Sequence, residues 1–186
     1  MTITLSNLLS VANKEFKTFF ASPAAYLFLG AFVGLSLFVF FWVETFFSRN
    51  IADIRPLFQW FPILLIFLVS ALTMRSWSEE KRSGTIESLL TSPVSKFTLI
   101  GGKFVAALSL VLIAMVLTLP LPLTVGVLGR LDIGPVFGGY VATFFLAASY
   151  ISIGLYTSAK TDNPIVALIM TVMLCGIFYI IGSPLI

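Results

Sequence analysis

Most of the side chains that could do chemistry stand in one short run, RSWSEEKRSGTIESLLTSPVSKFTLIGGK, at residues 75–103. The run holds eight of the nineteen charged residues of a chain in which 59% of the 186 residues are hydrophobic. Carboxylates and amines at this density suit acid–base catalysis, phosphate binding or charged contacts with another protein. The residue types and their spacing decide among these three.

The residues present exclude several kinds of catalytic and metal-binding site. LIGGKF contains the Gly-Lys pair of a phosphate-binding loop, but it lacks the first glycine of that spacing, and Phe104 stands where Ser or Thr would bind magnesium. The chain has no histidine, which excludes Ser-His catalysis and H-E-x-x-H zinc sites, and its single cysteine, Cys175, cannot form a thiolate metal site. We expect no catalytic residue, no metal and no bound cofactor in this chain.

The rest of the composition is that of an integral membrane protein. The mean hydropathy is +1.07 and 10% of residues are charged, whereas about a quarter are charged in soluble domains. Hydrophobic runs of about 20 residues cross a bilayer as helices. We expect an all-α polytopic bundle over residues 1–186 as a single domain, embedded in the lipid bilayer, with spans near residues 24–43, 56–74, 104–128, 136–159 and 164–181. The net charge of +3 forms no basic stripe, so we expect no nucleic-acid partner.

An amphipathic helix precedes the spans. Within residues 5–20, apolar side chains recur at helical spacing on one face and polar or basic side chains occupy the other, which is typical of a helix lying in the membrane interface. Ser22 and Pro23 predict the cap and the first turn of the first span. Asp162 or Asn163 is expected to cap the fifth.

Prolines and small residues predict how the spans bend and pack. Pro120 and Pro122 should bend or break the third span, and the Gly, Ala and Ser residues of the fourth favour close helix contacts. Gly30 and Gly34 form a G-x-x-x-G pattern in the first span, which suits either packing within the chain or contact with a second copy.

Basic residues in the short loops predict the orientation, because they accumulate on the cytoplasmic side. With the N-terminus in the cytoplasm, eight Lys and Arg residues lie inside and three lie outside. The run at residues 75–103 is therefore expected to be cytoplasmic.

Two short helices are predicted within this run. GTIESLL can begin at Gly84 or Thr85 with Glu87 in its first turn, and TSPVSKF can begin with Ser92 as cap and Pro93 in the first turn. An apolar ridge with a charged rim indicates a docking element for a cytoplasmic partner. A solvated connector with interfacial helices is the alternative.

The same residues resemble a known family. EEKRSGTIESLLTSP, at residues 79–93, resembles the EEKRxGTxExLLxSP signature of ABC type 2 transporter permeases. KEFKTFFASPAAYLFLGAF, LTMRSWSEEKRSGT, LDIGPVFGGY and TDNPIVA resemble the gliding-motility-type branch, so the resemblance covers nearly all of the chain. It implies that residues 75–103 are a coupling segment whose short helix docks on an ABC ATPase, with the N-terminal helix beside it as the connecting helix. The positions carried over to this interface are Glu79, Glu80, Lys81, Arg82, Gly84, Thr85, Ile86, Glu87, Leu89, Leu90, Ser92 and Pro93.

The resemblance implies an ABC transporter permease subunit, an exporter, in the inner membrane of a bacterium. ATP and Mg would be bound by two copies of a separate ATPase subunit, and the permease would pair with a second copy or a related membrane subunit. Family members have six spans and this sequence shows five, so we expect the chain to be a portion of a longer polypeptide. The alternatives are a structural or regulatory membrane anchor for the ATPase, and an ion channel, since LTVGVLG faintly resembles a carbonyl-lined filter but lacks its tyrosine.

Overall fold

The computed structural model describes residues 5–49, 51–87, 95–129 and 131–182, is 86% helical, and contains no strand among these residues. The helices, in chain order, are α1 (Leu5–Ala21), α2 (Pro23–Phe38) with a π-helical continuation (Val39–Val43), α3 (Phe46–Arg49), α4 (Arg55–Thr73), α5 (Ser78–Arg82), α6 (Lys96–Leu117), α7 (Pro120–Leu128), α8 (Ile133–Lys160) and α9 (Pro164–Ile181). The prediction of an all-α protein is confirmed.

Five helical segments in the described part of the chain are long and apolar enough to cross a membrane. They are Ala25–Ser48, Arg55–Arg82, Lys96–Leu128, Ile133–Lys160 and Pro164–Ile181. Large apolar side chains on these segments stand exposed, among them Leu27, Val127 and Phe137. Such surface is favourable against lipid and unfavourable against water, so the prediction of a polytopic bundle with five spans is confirmed.

Several helix ends lie where the sequence places them. Pro23 is the first residue of α2, and Asn163 caps α9 because its side chain accepts a hydrogen bond from the backbone N–H of Ile165 at 2.9 Å. The third span is broken as predicted: α6 ends at Leu117 and α7 restarts at Pro120. At the break the Thr118 hydroxyl donates to the carbonyl of Met115 at 2.7 Å, which satisfies an oxygen at the end of α6.

The helix of the third span begins before the predicted start of that span. α6 begins at Lys96, with Ser95 as its cap accepting from the backbone N–H of Thr98 at 3.2 Å, so residues 96–103 of the predicted coupling segment form its first two turns. The helix continues through Lys103, whose side chain is 4% exposed and ion-paired with Glu15 and Glu80.

Close helix contacts at glycine hold the fourth span against the second. A Cβ atom added at Gly154 would lie 2.1 Å from the hydroxyl oxygen of Thr73, and one added at Gly139 would lie 2.5 Å from the ring of Phe58. Any larger residue would push α8 away from α4, which is why the small residues predicted to favour contact stand here. α9 packs on both helices, and α2 packs on α4.

Gly30 and Gly34 make no such contact. A Cβ added at either position would meet nothing within 4 Å among the described residues, and both lie on an exposed face of α2. Packing within the described chain therefore does not explain the G-x-x-x-G pattern, and contact with a second copy stays a prediction.

Candidate functional site

The charged run, residues 75–103, contains near its start a helix that was not predicted from the sequence. α5 (Ser78–Arg82) has Glu79 and Glu80 in its first turn and Lys81 and Arg82 in its last. Acids at the N-terminal end and bases at the C-terminal end both interact favourably with the helix dipole. This charge order was the signal that could have predicted the helix.

Gly84 ends α5 and permits the next helical turn. Its φ angle is +73°, a left-handed conformation that glycine adopts without steric conflict, and its N–H donates to the carbonyl of Lys81 at 3.2 Å. The chain is helical again at residues 85–87. The sequence analysis placed Gly84 or Thr85 at a helix start, and the structure shows Gly84 closing one helix and Thr85 opening the next turn.

The predicted interface residues divide into two sides in space. Glu80, Lys81 and Ile86 are partly buried and face other helices of the same chain, whereas Glu79, Arg82, Gly84, Thr85 and Glu87 are exposed. Leu89, Leu90, Ser92 and Pro93 lie outside the described residues. We call the five exposed residues the exposed side of the charged run.

Ser158, near the end of α8, anchors the beginning of α5. Its hydroxyl oxygen accepts from the backbone N–H groups of Trp77 at 3.0 Å and Ser78 at 3.2 Å, and the hydroxyl donates to the carbonyl of Met74 at 3.0 Å. The Lys81 ammonium also donates to the carbonyl of Ala159. Three of these four polar contacts fix the charged run to the end of the fourth span, and the fourth holds Met74, the residue before the run.

Lys103 joins three separate helices through buried ion pairs. Its side chain is 4% exposed, and its ammonium nitrogen lies 2.7 Å from Glu80 Oε1 and 3.2 Å from Glu15 Oε2. The same nitrogen lies 4.9 Å from the ring centre of Trp77, a cation–π distance. Glu80 Oε2 is buried without a hydrogen-bond partner among the described residues. We call Lys103, Glu15 and Glu80 the Lys103 cluster.

The glycines beside Lys103 let α1 reach the cluster. A Cβ added at Gly102 would lie 2.4 Å from Val11 Cγ1 and 3.2 Å from the backbone nitrogen of Ala12, so α1 rests directly on the backbone of α6. One turn further along α1, Glu15 meets Lys103. The GGK sequence, which fails as a phosphate-binding loop, therefore forms a contact between helices.

Neither Glu15 nor Ser158 was predicted from the sequence as a site residue, and Lys103 was considered there only as a loop charge and as the lysine of the Gly-Lys pair. A signal for Glu15 was present, because helical spacing places this carboxylate at the edge of the apolar face, one turn before Phe19. A charge on that face requires a buried partner. Ser158 carried no such signal, since serine is common in the fourth span.

No group of three or more His, Cys, Asp or Glu side chains in the described ranges is placed to hold a metal ion. The groove beside the charged run has a volume of about 690 Å³ and is lined mainly by apolar residues of α6 and α8, with Lys81 at its edge. The lining of this groove suits apolar groups. The hydrogen bonds and ion pairs described above join helices of this chain to one another.

Comparison with known proteins supports the resemblance seen in the sequence. The family described as ABC-2 family transporter protein matches residues 43–186, which include the charged run, the Lys103 position and four of the five spans in full. No curated protein and no solved structure matches the chain. Members of this family are typically non-catalytic membrane subunits. The chain therefore belongs to the ABC-2 transporter family, and it is a multi-pass membrane permease of the kind that works with an ABC ATPase.

Proposed function

We propose that this chain is the permease subunit of an ABC exporter and that a separate ATPase docks on the exposed side of the charged run. The proposal rests on the division of that run into a side bonded to other helices and an exposed side. One side is bonded to α6 and α8, so a force applied to the other side would be transmitted to the spans. A solvated connector would not need this anchoring.

The exposed side has the chemistry of a protein-binding rim. Glu79 and Arg82 project from α5, and Thr85 and Glu87 project from the turn that follows. Glu79 lies 3.7 Å from Arg75, and both side chains are more than half exposed, so this pair contributes little to stability. An ATPase that docks on this side would meet these exposed charges, and charged rims set partner choice and association rate.

The wider assembly is proposed on the resemblance and the loop charges. It comprises two ATPase copies that bind ATP and Mg, and a second permease copy or a related membrane subunit, in the gliding-motility-type branch of the family. The N-terminus and the charged run lie in the cytoplasm of a bacterial cell, and the spans lie in its inner membrane. The exposed G-x-x-x-G face of α2 is available for the permease contact.

Co-purification of the full-length subunit with its ATPase tests the proposal. Reversing two charges, Glu79→Lys with Glu87→Lys, should weaken ATPase association tenfold or more, about 1.4 kcal/mol, because two favourable contacts become repulsive. Asp162→Lys is the matched control, since it reverses an exposed acid in the loop between α8 and α9. If the double variant and the control associate equally with the ATPase, the interface does not lie on the exposed side of the charged run.

A further inference from the structure

The Lys103 cluster connects elements that are distant in sequence. Glu15 lies on α1 and is 88 positions from Lys103, and Glu80 lies on α5 and is 23 positions away. α1 and α5 are thus held by one cation, which itself stands on the third span.

Burial makes this connection stiff. With Lys103 4% exposed and the Trp77 ring over its ammonium, water has little access to replace either carboxylate. Separating one ion pair would leave the buried lysine with a single carboxylate, which is less favourable than separating an exposed pair. The two helices therefore move together more readily than they move apart.

A second contact prevents α1 from sliding. Val11 and Ala12 rest on Gly102, one residue before the lysine, so α1 is fixed on α6 at two adjacent points. Glu80 lies on the same short helix as Glu79 and Arg82, which belong to the exposed side of the charged run. A displacement of α5 is therefore passed through Lys103 to α1.

We propose that Lys103 is a positioning residue, which makes the N-terminal helix follow the charged run when the ATPase moves it. The proposal rests on the proposed function for the source of the movement, but the fixing of α1 to α5 does not require the ATPase. Glu15 and Glu80 are the two attachment points, and neither touches the substrate.

Spin-label distances in the full chain test the first half of the proposal. With Cys175→Ala as background, labels at Asn13→Cys on α1 and Ser83→Cys after α5 report their separation in lipid nanodiscs. The distance distribution should be narrow in the parent chain and in Lys96→Met, which removes an exposed lysine from the first turn of α6. It should become broad in Lys103→Met and narrow again in Lys103→Arg.

A second variant covers the case in which Lys103→Met does not fold. The triple change Glu15→Gln, Lys103→Met and Glu80→Gln leaves no unpaired buried charge in the cluster, so the fold should persist while the ionic connection is lost. A broad distribution in the triple variant supports the proposal. A distribution as narrow as that of the parent chain overturns it.

The complex with the ATPase tests the second half. The α1 label at Asn13→Cys and the α5 label at Ser83→Cys, just after that helix, are each paired with a label at Val127→Cys, an exposed position on α7. Addition of an ATP analogue should shift both distances in the parent chain, and only the α5 distance in the triple variant. A shift of α1 in the triple variant would overturn the positioning role. Absence of any α5 shift in the parent chain would instead contradict the proposed function, and the nanodisc distances would still decide the role of Lys103.

Discussion

Gly102→Ala should release the N-terminal helix from the third span. The new methyl carbon would lie 2.4 Å from Val11 Cγ1, 2.8 Å from Val11 Cβ and 3.2 Å from the backbone nitrogen of Ala12. A rotation of the Val11 side chain relieves the first contact but not the other two. Carbon atoms rest about 3.5 Å or more apart, so α1 must retreat by roughly 0.7 Å.

The expected free-energy change follows from two opposing terms. Forcing an extra methyl into a packed contact costs about 1–3 kcal/mol. The retreat of α1 relieves part of this cost. A net loss of about 1–2 kcal/mol in docking free energy raises the undocked population of α1 about 5- to 30-fold.

Thiol labelling measures this population. Ala12 is 6% exposed, so Ala12→Cys in the Cys175→Ala background should react with a water-soluble maleimide only when α1 undocks. Gly138→Ala is the control, because its Cβ meets nothing within 4 Å. We expect Gly102→Ala to label about 5- to 30-fold faster than the control. Equal rates for the two variants would refute the docking of α1 on Gly102.

Three further substitutions test other contacts of the described chain. Ser158→Ala should lower the free energy of unfolding by about 2 kcal/mol, because two buried backbone N–H groups lose their acceptor. Ser149→Ala, at an exposed serine of the same helix, is the control. Equal losses of stability in the two variants would show that Ser158 does not anchor α5. Gly84→Ala should destabilise the protein by about 1–2 kcal/mol relative to Gly30→Ala, since only Gly84 has a left-handed φ; equal denaturation midpoints would argue against that conformation. Asn163→Ala should lower the local stability of the first turn of α9 by about 1 kcal/mol, seen as faster amide hydrogen exchange there, and unchanged exchange would contradict its capping role.

The spans and their ends were predictable because their signals are local. Apolar length defines a membrane helix, and a cap or a proline such as Asn163 or Pro120 acts within one turn of its own position. The break at Thr118 and the start of α2 at Pro23 follow from the same local rules. These features depend on neighbours in sequence, so the sequence contains the information needed to place them.

The Lys103 cluster and the Ser158 contacts were not predictable in this way. The sequence around Lys103 is typical of a loop charge, because its partners on α1 and α5 lie 88 and 23 positions away. Ser158 bonds backbone groups some 80 positions distant. Such contacts depend on how the helices assemble. The sequence indicates them only where a charge lies beside an apolar face, as at Glu15.

The docking of α1 on α6 also sets an order for assembly. During synthesis α1 emerges before the spans, but Gly102 and Lys103, on which it rests, lie about 90 positions later in the chain. α1 must therefore wait until the third span has been inserted, and the loss of freedom on closing so long a segment opposes an earlier contact. Its amphipathic pattern lets it rest at the membrane surface in the meantime. The last step in building this end of the bundle is then the arrival of Glu15 at Lys103, which completes the buried cluster only after the second and third spans have packed together.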